Sequence, residues 1–144
     1  MKRFLILLLL VAQAALAEEP PKDQLTELYS KLGAVSPKVV KAGYTILHVE
    51  FDRLAPGGEY SLRRDLSAKN KYKVVGVGAK GITDLQVRVI DPKGQGETND
   101  RQVDSVAIIN MVPKTSGLYT IKVGAGKINA DHPYFFCLIA SKPK

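Results

Sequence analysis

From Val39 to the end of the chain, apolar residues recur with a period of two, broken by turn signals at intervals of about 8–12 residues. Successive side chains of a strand point to opposite faces, so this alternation describes strands with one buried face. The clearest case is Asp84 to Ile90, where Leu85, Val87 and Val89 alternate with Gln86 and Arg88. Tyr60, Leu62 and Leu66 share a face opposite Ser61, Arg63 and Asp65. Thr45, Leu47, Val49 and Phe51 predict another inward face, and so do Tyr119, Ile121 and Val123. Val106 to Ile109 is apolar throughout and predicts a strand buried on both sides. Tyr134 to Ser141 predicts the last strand.

The punctuation fits the same reading. Ala55-Pro56-Gly57-Gly58, Lys69-Asn70-Lys71 and Pro113 to Gly117 are turns by composition. Asp91-Pro92-Lys93-Gly94 has Asp, Pro and Gly where a type I turn wants them. Gln95 to Asp104 is polar and predicts a long loop with at most one short edge strand. Strands do not alternate with helices, which excludes a parallel α/β sheet. Seven or eight short strands predict an antiparallel β-sandwich or barrel.

One helix precedes the strands. Leu25, Leu28, Tyr29 and Leu32 have i, i+3, i+4, i+7 spacing, with Asp23 as N-cap and Gly33 as stop. Such a short helix needs something to rest on, and the reading is a lid on one end of the sandwich.

Ahead of it, Lys2 and Arg3 lead an apolar run from Phe4 to Ala15, and Ala15-Leu16-Ala17 places small residues where a signal peptidase reads. The expectation is a cleaved secretory leader over 1–17, a tail and helix over 18–38, and a sandwich over 39–144. The mature chain then has 127 of the 144 residues, enough for an ordinary core. Of the net charge of +7, Lys2 and Arg3 carry two, leaving +5. No cysteine follows the cleavage site to carry a lipid anchor, and no later stretch is apolar enough to span a membrane. The expected location is the periplasm or the medium, which disfavours nucleic acid as a partner.

Leu66-Ser-Ala-Lys-Asn-Lys-Tyr72, Asp84-Leu-Gln-Val-Arg-Val-Ile-Asp-Pro-Lys-Gly94, Asp104-Ser-Val106 and Pro113-Lys-Thr-Ser-Gly-Leu-Tyr-Thr-Ile-Lys-Val123 follow one pattern. An acidic residue precedes an alternating strand, an Asp-Pro-x-Gly turn follows it, and a Ser-Gly-x-Tyr strand comes near the end. From about Gly43 onward the chain resembles the bacterial pre-peptidase C-terminal domain and its stand-alone relatives. The resemblance implies a jelly-roll-like β-sandwich without catalytic residues. Such domains accompany secreted proteases, and the chain contains no protease domain to accompany.

Residues able to carry chemistry are few. His48 lies mid-strand and His132 in a loop, and with the sole cysteine, Cys137, they lack zinc-ligand spacing. Cys137 sits in an apolar strand and predicts a buried, inert thiol. Gly76, Gly78 and Gly81 fall between strands and read as turn glycines, not as a phosphate loop. Asp84, Asn99, Asp100 and Asp104 are the weak candidates for calcium, because they concentrate oxygen donors in loops. Asp91 is absorbed by its turn, and lies about 20 Å from Asp84 along the strand. The turn-and-loop reading is preferred, so no cofactor is expected.

Arg63, Arg64, Lys69, Lys71 and Lys73 cluster around what reads as one hairpin. They form either a solvated edge that blocks aggregation or a polyanion patch for acidic glycan or anionic lipid. No constellation of nucleophile and base, paired carboxylates or metal ligands emerges, so an enzyme is not expected. The function expected is a binding or accessory module of the bacterial envelope or extracellular space. The alternative is an assembly protein that engages an envelope partner through its helix or an edge strand.

Overall fold

A computed structural model describes residues 22–99, 104–128 and 133–144. The proposed leader, Asp100 and His132 lie outside the described residues. Helix α1 (Lys22–Lys41) comes first, followed by strands β1 (Thr45–Arg53), β2 (Glu59–Leu66), β3 (Asn70–Gly78) and β4 (Ile82–Ile90). Then come β5 (Gly96–Asn99), β6 (Val106–Met111), β7 (Gly117–Ile128) and β8 (Tyr134–Pro143).

Among the described residues these strands make two four-stranded antiparallel sheets, ordered β1-β8-β3-β6 and β2-β7-β4-β5. The pairing is nested. β4 pairs with β5, β3 with β6, β2 with β7 and β1 with β8. A long hairpin folded at the β4–β5 turn has this order. Rolling it up adds the β3–β8 and β4–β7 seams and produces the jelly roll.

The inward faces follow the alternation. Leu85, Val87, Val89, Tyr119, Ile121 and Val123 are all fully buried between the sheets with Tyr72, Val74 and Phe135. The turn after β4 closes as expected, with the Gly94 amide on the Asp91 carbonyl and the Asp91 carboxylate accepting from the Lys93 and Gln95 amides.

Two inward faces differ from expectation. A bulge between Ile46 and His48 turns Ile46 to the side of Val49 and Phe51 and leaves Leu47 exposed. Ile108 is half exposed, because β6 is an edge strand and α1 rests chiefly on β1, β8 and β3.

The glycines also differ. Gly76 and Gly78 lie within β3, and only Gly81 takes a left-handed turn conformation. A Cβ on Gly76 would sit 2.8 Å from Val87 Cγ2 and 3.0 Å from Leu85 Cδ2, so glycine is what lets the sheets approach there.

The helix covers the outer face of the first sheet, not an end of the sandwich. Leu28, Leu32, Val35 and Val39 pack over Val75, Val77, Phe136 and Leu138, which makes a second apolar layer. This explains why Phe135 to Ala140 is buried without alternation: β8 has the sandwich core on one side and the helix on the other. Polar tethers fix the helix in register. The Tyr134 amide donates to Gln24 Oε1 at 2.8 Å, and Lys31 Nζ donates to the Gly78 carbonyl at 3.1 Å.

The helix runs twenty residues, through Gly33 and Pro37, and so past the expected boundary at residue 38. A glycine in a helix costs about 1 kcal/mol, whereas burying a valine returns roughly 1.5–3 kcal/mol, and Val35 and Val39 both lie beyond Gly33. Pro37 has no N–H, and the carbonyl deprived of a donor belongs to the solvent-exposed Gly33.

The real stop is Gly43. It is left-handed (φ 88°), its amide bonds the Val40 carbonyl, and the Tyr44 amide bonds the Val39 carbonyl at 3.3 Å. That is a Schellman cap, and it delivers Tyr44 to the head of β1. Among the described residues no helix is long and apolar enough to cross a membrane.

Candidate functional site

The cap places Tyr44 over the end of the first sheet's outer face, just beyond the helix. Two cations flank its ring: Lys142 Nζ is 4.5 Å and Lys73 Nζ 5.4 Å from the centroid. Lys142 also donates to the Ala42 carbonyl at 3.1 Å, which suits a cation at the negative end of a helix. Lys71 stands directly opposite Lys142 in the β3–β8 ladder. Lys41, in the last helical turn, is exposed nearby, and the Lys144 amide bonds the Lys69 carbonyl at the same end.

Like charges directly opposite one another destabilise a ladder. Among the described residues, no carboxylate lies within ion-pair distance of Lys71, Lys73 or Lys142. The outer face of the second sheet contrasts with this. There Arg88 and Lys122 share Glu59, at 2.7 and 3.2 Å, and their hydrogen bonds hold the Glu59 carboxyl below its ordinary range.

The five sequence candidates for a polyanion patch therefore divide. β2 and β3 belong to different sheets, so the supposed hairpin does not exist. Arg63 is exposed on the outer face of the second sheet, and Arg64 turns inward beside Tyr60 and Leu62. Lys69 lies in the connecting turn. Of the five, only Lys73 lies against the Tyr44 ring, joined there by Lys142, which the sequence reading did not include, and Lys71 stands beside them as the ladder partner of Lys142. A basic last helical turn, then glycine and tyrosine, was the signal available.

Arg64 belongs to a polar cluster where the two sheets' edges, β1 and β2, meet. His48 Nε2 donates to Glu50 Oε2 at 2.6 Å, and the Tyr60 hydroxyl approaches the same carboxylate from across the gap. The His48 hydrogen bond, then that of Tyr60, hold the Glu50 carboxyl below its ordinary value. Burial first, then the bond to Glu50, push the Tyr60 hydroxyl up to about 12. Arg64 Nε is buried here without a hydrogen-bond partner. The cluster ties two sheets together and lies apart from the lysines.

The remaining candidates are placed as follows. Asp84 lies between two bulges on β4, with Oδ2 accepting from Gln86 and Oδ1 buried without a partner. The Leu85 amide bonds the Asp104 carbonyl, so Asp84 and Asp104 are neighbours, but the Asp104 carboxylate accepts from the Val106 amide. Asn99 ends β5. Among the described residues no three of His, Cys, Asp and Glu converge as metal ligands would. Cys137 is fully buried, and burial first, then Glu50, push its thiol up to about 12. An open cleft of about 280 Å³ between the Asp91–Gly96 and Lys114–Thr115 turns has Tyr119 as its floor.

No model of a known protein family matches the chain, and no curated protein matches it in sequence.

Proposed function

We propose that the chain is an exported, non-catalytic binding module that engages an acidic ligand through the lysine-flanked face around Tyr44. The observation that carries this reading is the opposition of Lys71 and Lys142 with no acidic partner among the described residues. An acidic ligand would offset that repulsion and meet Lys73 and Lys41 in the same approach. The leader-like sequence over 1–17 and the resemblance from about Gly43 onward to the pre-peptidase C-terminal domain support export and a non-catalytic role. The assembly alternative draws less support from β1, since a bulge beside the exposed Leu47 disfavours strand addition at that edge.

Retention on dextran sulfate beads against uncharged dextran beads tests the proposal. The wild type elutes from the sulfated matrix at a higher salt concentration than a Lys71→Glu/Lys142→Glu variant, while Arg63→Glu/Arg88→Glu behaves nearly as wild type. Equal losses in the two double variants would assign retention to net charge alone and remove the site.

A further inference from the structure

The lysine face differs from a simple polyanion site in one respect. Val40 is 56% exposed in the capping turn that carries Tyr44, and it lies between Lys41 and the buried Val39. An aliphatic side chain held out in water gains nothing from a soluble polyanion. It gains from an interface that is charged at the surface and apolar a few ångströms below. Tyr44 is half-buried, with a ring whose far end is polar, as suits headgroup depth. The lysines have long apolar stems that let the ammonium groups stay at the phosphates while the turn sits deeper.

We infer that this end of the molecule is a peripheral membrane contact. Val40 and Tyr44 enter the interface of an anionic bilayer, and Lys41, Lys71, Lys73 and Lys142 bind its phosphate groups. This rests on the reading of the same face as an anion site and specifies the ligand as a lipid surface. The geometry is that of a blunt tip. A helix end, a strand start and the exposed ends of β3 and β8 meet there, so the apolar group is small and insertion is shallow. Such contacts need charge and apolar burial together, because neither is sufficient alone.

The chain has no tryptophan, so Val40→Trp introduces a single reporter. The full mature chain carrying it is mixed with vesicles of phosphatidylcholine alone, with vesicles containing phosphatidylglycerol, and with dextran sulfate. The expected result is a blue shift of emission with the anionic vesicles only, reversed by about 0.5 M salt. Adding Lys71→Glu/Lys142→Glu should weaken vesicle binding at least about tenfold. Without the reporter, Val40→Ser should weaken sedimentation with anionic vesicles a few-fold and leave dextran sulfate binding unchanged. Urea melts of each variant confirm that the fold is intact. Lysine-dependent binding to dextran sulfate, with no blue shift on vesicles and no effect of Val40→Ser, would overturn the membrane inference and leave the anion site standing. Failure to bind either material would remove both.

Discussion

The Tyr119 hydroxyl donates to the Thr115 carbonyl at 2.8 Å, while the ring below it is completely buried between the two sheets. The bond fastens the turn before β7 to the first inward residue of that strand. Truncation to alanine removes both the bond and a ring's volume from a core that cannot fully collapse. Tyr119→Ala should cost about 3–5 kcal/mol, and Tyr119→Phe, which keeps the ring and loses the hydroxyl, about 0.5–1.5 kcal/mol. Lys122→Ala, on the outer face, should stay within about 0.5 kcal/mol. Urea melts decide, and comparable small losses in all three variants would mean that the face of β7 has been misassigned.

The close approach at Gly76 gives a second test. Gly76→Ala forces a methyl against Val87 and should cost about 1–3 kcal/mol by overpacking. Val87→Ala alone should also destabilise, by opening a cavity. The double variant should lose clearly less than the sum, because each change relieves the other. Strict additivity would show that the two residues do not touch.

Glu50 makes the edge of the sandwich acid-sensitive. Its carboxyl lies below the ordinary value of 4.5 in the folded protein, chiefly through His48 and Tyr60. A lowered folded pKa stabilises above the unfolded value and stops doing so as the pH falls through the folded one. The melting temperature of the wild type should therefore exceed that of Glu50→Gln near neutral pH, with the gap closing below pH 4.5. Glu59 and Glu27 are also lowered, but they are common to both proteins and cancel in the difference. A gap that widens on acidification would contradict the assignment.

Cys137 should resist thiol reagents in the native state at pH 8, where burial keeps it protonated. A sample unfolded in urea should label completely over the same period. Equal rates in the two samples would place the thiol at the surface.

Much of this fold was legible from the period-two alternation, because strands with one dry face leave it in plain view. Leu85, Val87 and Val89 could be read as inward, and so could Tyr119, Ile121 and Val123. What the alternation cannot express is which sheet a strand joins. Arg63 and Lys71 look like neighbours across a turn, yet the chain crosses between sheets at that point. The partner that matters to Lys71 is Lys142, far along the chain and brought beside it only by the β3–β8 seam. Local propensity misled at Gly33, where burial of Val35 and Val39 carries the helix on to a better stop at Gly43. The burial of Ile108 was overestimated because an apolar run does not reveal that its strand lies at an edge.

The proposed binding of an acidic ligand around Tyr44, and not on basic surface in general, has a direct test. An amide chemical-shift titration of the protein with dextran sulfate tests it residue by residue. The expected shifts are confined to Lys41–Thr45, Lys71–Lys73 and Ser141–Lys144 and fade as salt is raised. Shifts centred on Arg63, Arg88 and Lys122, or spread evenly over both sheets, would contradict it.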